Sequence, residues 1–120
     1  YCVDHHYSGL LRLLADNERG TAIRAALDET NPAAAFAGKE LAGLIYVEKL
    51  TSRPTSITAQ DMDDLRSAGL DDGEILEINQ VTAYFAYANR TVLGLGINTE
   101  GDIIGLSPGD NSDPNNWSHA

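Results

Sequence analysis

Residues 71–96, DDGEILEINQVTAYFAYANRTVLGLG, decide the fold. Ile75, Ile78, Thr82, Phe85, Asn89 and Val92 recur at alternating steps of three and four. That heptad-like spacing turns one face of an α-helix toward another helix. Asp71 stands where an N-cap belongs, and Glu74 follows three residues later. In this capping-box spacing each side chain can accept from the other residue's backbone N–H. Gly94 and Gly96 close the run, as glycine does at helix ends because it reaches positive φ without a Cβ clash. Leu76, Val81, Tyr84, Tyr87, Ala88 and Leu95 fall off the seam. A helix apolar on more than one face needs cover on more than one side, and a second subunit is a natural source.

Four shorter helices precede it. Over residues 1–16, Val3, Tyr7, Leu10, Leu11 and Leu14 draw one apolar stripe. Residues 20–27 form a short helix with Ile23 and Leu27 one turn apart, closed by Asn31-Pro32. Residues 37–51 carry a broad apolar face of Leu41, Leu44, Ile45, Val47 and Leu50, and Pro54 ends them. Thr58 and Asp61 have capping-box spacing ahead of a helix over 59–68, with Met62 and Leu65 inward and Gly69 as the stop. No segment alternates as a half-buried strand would, and Ile103-Ile104 is too short for one. The fold class expected is all-α: a helical domain over 1–106, then a tail over 107–120 rich in Gly, Asp, Asn, Ser and Pro, with Trp117 as a candidate anchor.

Bulk composition narrows the function. The 120 residues fit one domain. A formal charge of -10 argues against nucleic acid, whose phosphates need a basic patch, and against anionic membrane surfaces. No apolar run approaches the ~20 residues of a membrane span. The opening Tyr1-Cys2-Val3-Asp4-His5-His6 is not a basic secretory n-region. The single cysteine allows no intrachain disulfide, so a reducing cytoplasm is the expected location.

That cysteine also begins the one constellation that carries chemistry. Cys2 and His6 are four apart on a predicted helix, and His5 is three from Cys2. Residues so spaced share a face. An imidazole there can take a thiol's proton or stabilise the thiolate, which is the nucleophilic form. Against this stands the plainer alternative of a small buried cysteine beside surface histidines. A metal is not expected, because no Asp or Glu is placed to complete a set with Cys2, His5 and His6.

Other patterns carry less. Gly94-x-Gly96 with Gly101 has the wrong spacing for a dinucleotide fingerprint and follows a helix. Asp110-Asn111-Ser112-Asp113 lacks the glycine and glutamate of a calcium loop. Asn89-Arg90-Thr91 and Asn116-Trp117-Ser118 match a glycosylation acceptor without a secretion signal to support it. The acidic residues between Asp61 and Glu77 suit a solvated, helix-capping face. Asn89 interrupts the apolar seam; with Arg90 it forms either a buried hydrogen-bonded pair that fixes register or a subunit contact, or part of a pocket lining.

Tyr1-Cys2-Val3-Asp4-His5-His6 resembles the second half of the Cys-x-x-Cys-x-x-x-His motif of alkylhydroperoxidase D-like proteins, in the carboxymuconolactone decarboxylase superfamily. In the peroxidase-related branch the motif commonly reads Cys-x-Tyr-Cys-x-x-His-His. The likeness continues in order through Lys49-Leu50-Thr51-x-x-Pro54 and Leu65-Arg66-x-x-Gly69-Leu70-x-Asp72-x-Glu74-Ile75-Leu76. It runs on through Tyr84-Phe85-x-x-x-Asn89-Arg90, Leu93-Gly94-x-Gly96 and Leu106-Ser107-Pro108. The resemblance implies an all-α thiol peroxidase of peroxiredoxin-like, antioxidant activity, with no cofactor. Its substrate would be a hydroperoxide, its electron donor a dithiol, and its assembly a homo-oligomer, trimer or hexamer. Cys2 would be the attacking thiol, His6 the base or the thiolate's partner, and His5 a supporting or proton-shuttling residue. The family's first motif cysteine would fall two residues before Tyr1, and its relay glutamate further upstream. The chain is therefore expected to begin inside the motif, with impaired activity. The alternatives are a non-catalytic helical oligomer and a carboxymuconolactone-decarboxylase-like lyase.

Overall fold

Each helix of the protein starts or stops for a local chemical reason. A computed structural model describes residues 1–101 and 104. It contains α1 (Cys2–Leu14), α2 (Asn17–Asp28), α3 (Gly38–Ser52), α4 (Ala59–Ser67) and α5 (Asp72–Gly94). Single 3-10 turns at Pro32–Ala34 and Pro54–Ser56 flank α3. Among the described residues there is no strand, as the sequence predicts. The expected tail at 107–120, with Trp117, lies outside the described residues, as do the patterns at 110–113 and 116–118.

Both expected capping boxes form. Glu74 N donates to Asp71 Oδ1 at 2.8 Å, and Asp71 N donates to Glu74 Oε2 at 3.0 Å. Thr58 and Asp61 reciprocate in the same way at the start of α4. Apart from α3, which ends ahead of Pro54, the helices stop on left-handed residues. At Gly69, φ is 101° and Leu70 N donates to Leu65 O; at Gly96, φ is 68° and Ile97 N donates to Val92 O. This pairing satisfies the orphan carbonyls of the last turn. Thr30 plays the same part after α2 at φ 54°, a costlier choice for a β-branched residue.

Two helices depart from expectation. α2 begins at Asn17, three residues before Gly20, because Asp16 caps it by accepting from Arg19 N at 2.9 Å. Gly20 is not a boundary. It is buried inside α2 and lets Leu11 of α1 lie directly against the backbone. On α3 the buried positions are Gly43 and Tyr46, whereas Ile45 is 55 % exposed. Gly43 admits Ile78 of α5, and the Tyr46 hydroxyl accepts from Asn79 Nδ2 at 2.8 Å. The apolar residues of α3 wrap too far round the helix for periodicity to choose the inner face; the tyrosine, with its polar tip satisfied, chooses it.

The core gathers Tyr46, Leu65, Leu70 and Ile75 from α3, α4, the turn after it and α5, with Ala42, Leu50, Ile57, Met62, Ala68 and Ile78 around them. The α5 seam behaves as predicted: Ile75 and Thr82 are buried, and Ile78, Phe85, Asn89 and Val92 half-buried. α1 buries no residue, and Val3, read as part of its apolar stripe, is exposed.

Ion pairs tie α3 to its neighbours: Lys49 to Asp61 of α4 and Lys39 to Glu74 of α5, both at 2.6 Å. Hydrogen bonds from Lys49 and then from Thr58 hold the Asp61 carboxyl at about 2, against an ordinary 3.8. A depressed carboxylate stabilises the fold fully above its unfolded value and loses that contribution as pH falls through the folded one. Wild-type protein is therefore expected to lose more urea resistance than Asp61→Asn between about pH 4 and about pH 2. Parallel losses in the two proteins would remove Asp61 from the acid transition.

Candidate functional site

The first turn of α1 carries Cys2, His5 and His6. Helix geometry puts Cys2 and His6 one turn apart on one face, as their spacing predicts. Cys2 is a free thiol, half-buried. His6 is exposed on one side and meets Phe85 of α5 edge-on on the other, with ring centroids 4.9 Å apart at 89°. His5 is half-buried and packs on Tyr1 at 4.7 Å. The thiol thus sits at the helix N-terminus, where unpaired N–H groups favour an anion.

What orients this helix is a residue the sequence did not single out. Arg24 of α2 reaches Asp4 of α1 at 3.6 Å, bonds Asp28 at 2.7 Å and lies over the Tyr7 ring at 5.1 Å. Asp28 first and Asp4 second raise the Arg24 pKa above its ordinary value. The Arg24–Asp28 pair was legible as an i, i+4 spacing. The contacts with Asp4 and Tyr7 were not, because they depend on how α1 and α2 cross.

Phe85 links α1 to an open groove of about 730 Å3 between α3 and α5. Val47 and Thr51 form one wall; Ile78, Thr82, Phe85 and Asn89 form the other. Glu77 and Arg90 also line it, more than three turns apart on α5. A shallower depression of about 430 Å3 shares Val47, Glu77 and Ile78 with it and adds Lys39, Glu40 and Glu74. Asn89 and Arg90 are not bonded to each other. Asn89 Nδ2 donates to Phe85 O and Arg90 Nη1 to Ala86 O, both at 2.9 Å. The expected register-fixing pair is therefore absent, and both residues line the groove instead.

Among the described residues no group of three or more His, Cys, Asp or Glu side chains could hold a metal ion. No helix there is long and apolar enough to cross a membrane. No protein-family model matches the chain, and no curated protein matches it. What the fold and the site define is a class: an all-helical protein whose first helix carries a free thiol and two imidazoles, one of which, His6, meets the Phe85 wall of a mostly apolar groove.

Proposed function

We propose that this chain is a thiol-dependent hydroperoxidase of the alkylhydroperoxidase D-like kind. The observation that carries the proposal is Cys2 and His6 one turn apart at the start of α1, with His6 against the Phe85 wall of an apolar groove. His6 takes the thiol proton, and the Cys2 thiolate attacks the outer oxygen of a hydroperoxide. The O–O bond breaks, Cys2 becomes a sulfenic acid, and the alcohol leaves with the proton returned by His6. His5 is the second imidazole through which that proton exchanges with solvent. A dithiol donor then reduces the sulfenic acid to the thiol, giving water and the donor's disulfide. Cys2 is the one cysteine among residues 1–120, so the second thiol of the reaction is one outside them. The proposal includes a cytoplasmic setting and assembly as a trimer or hexamer. A non-catalytic oligomer or a lyase of the same superfamily would need no reactive thiol.

Cys2 in the folded chain is expected to alkylate about tenfold faster than free cysteine at neutral pH, because a free thiol is only a few per cent thiolate there. His6→Ala should remove most of that advantage. Treatment with an organic hydroperoxide should add one oxygen to Cys2, detected by mass spectrometry and trapped by a dimedone reagent. A thiol no faster than free cysteine, or unchanged by His6→Ala, would sink the proposal.

A further inference from the structure

We infer that the groove between α3 and α5 binds a free long-chain monocarboxylate, with its apolar tail along Ile78, Thr82 and Phe85 and its head at Arg90. The inference does not rest on the thiol chemistry. Three observations carry it. The groove is of ligand size, about 730 Å3, and mostly apolar between its charged ends, Glu77 and Arg90. From Glu77 to Arg90 it follows 13 residue steps of α5, about 20 Å at 1.5 Å per residue, which suits an extended acyl chain better than a compact molecule.

The third is charge. Arg24, Lys39, Lys49, Arg53 and Arg66 are all within ion-pair distance of carboxylates; Arg19 and Arg90 have none among the described residues, and of these two it is Arg90 that lines the groove. It spends one donor on Ala86 O and keeps the rest of its planar fork, the geometry that grips a carboxylate. Asn89, beside it, uses one amide hydrogen on Phe85 O and has a second to give. The opposite end is acidic, with Glu40, Glu74 and Glu77, and only Lys39 to offset them through its bond to Glu74. An anionic head is therefore repelled at one end and held at the other, which fixes the ligand's direction.

The test is titration of the full chain with dodecanoate and with dodecanol, followed by calorimetry. Dodecanoate should bind at least about tenfold more tightly, about 1.4 kcal/mol. Arg90→Gln should close that gap, and Arg90→Lys should keep part of it. Arg90 is exposed, and its side-chain hydrogen bond is to a carbonyl of its own helix, so these variants are expected to keep the fold. Ala86→Trp, which fills the groove, should abolish dodecanoate binding, and Cys2→Ser should leave it unchanged. Equal affinity for acid and alcohol, or a gap that survives Arg90→Gln, would overturn the inference. So would dodecanoate binding that survives Ala86→Trp. Absence of dodecanoate binding, with a fall in assembled mass on Ala86→Trp, would give the groove to a second copy of the chain instead.

Discussion

Leu65→Ala is expected to cost about 2–5 kcal/mol of stability, the range for emptying a packed leucine site in a core. Leu65 is 2 % exposed, the deepest apolar side chain among the described residues, and it sits where α3, α4 and α5 meet through Tyr46, Leu70 and Ile75. Its carbonyl also accepts from Leu70 N in the turn that closes α4, so its position is fixed from both backbone and side chain. The cavity cannot close by a local shift: α4 is held by its capping box and by Lys49–Asp61, and α5 by Lys39–Glu74. A small domain has only about 5–15 kcal/mol to lose. The midpoint of thermal unfolding should therefore fall by roughly 10–20 °C. Leu13→Ala on α1 is the matched control. That leucine is 88 % exposed, and its removal should stay within about 0.5 kcal/mol. Equal losses from the two substitutions would mean that the core is not where α3, α4 and α5 place it.

Legibility in the sequence follows what each signal physically reports. α4 and α5 were readable to within a residue because capping boxes and glycine stops are local chemistry, complete within a few positions. The seam of α5 was readable because one charge-free row at steps of three and four can serve only one face. α3 was readable as a helix, and of its expected apolar face Leu41, Leu44, Val47 and Leu50 are half-buried while Ile45 is exposed; its innermost positions, Gly43 and Tyr46, were not readable, since Tyr46 bonds Asn79 on another helix. Gly20 looked like a helix start, yet its role is the close approach of Leu11, which no local pattern reveals. The spacing of Cys2 and His6 was plain. The latch of Arg24 on Asp4 and the contact of His6 with Phe85 join residues 20 and 79 positions apart, so only the packed chain shows them.

Periodicity also states which face of a helix is apolar without stating what covers it, and α5 shows the consequence. Ile75 and Thr82 are buried, while Leu76, Val81, Tyr84, Tyr87 and Leu95 stand out from the fold, Tyr87 at 68 % and Leu95 at 73 % exposure. At 100° per residue, Leu76, Gln80, Tyr84, Tyr87, Thr91 and Leu95 occupy one outer arc, roughly opposite Ile75, in which Glu77 is the only charge. Copies of a chain carrying a net charge of -10 repel one another over most of their surface, so this arc is where two of them can meet. Tyrosines suit such a contact, as each buries a large ring and keeps its hydroxyl wet at the rim. Light scattering of the wild-type chain should therefore give a multiple of 12.9 kDa. The double variant Tyr84→Asp, Leu95→Asp should bring the mass down to 12.9 kDa, because burying two carboxylates without partners costs more than the apolar contact returns. Helix content should survive the change, since neither side chain belongs to the Tyr46–Leu65–Leu70–Ile75 core. Loss of helix together with mass would place these side chains in the fold rather than at an interface. A wild-type mass of 12.9 kDa across micromolar concentrations would dispose of the assembly altogether.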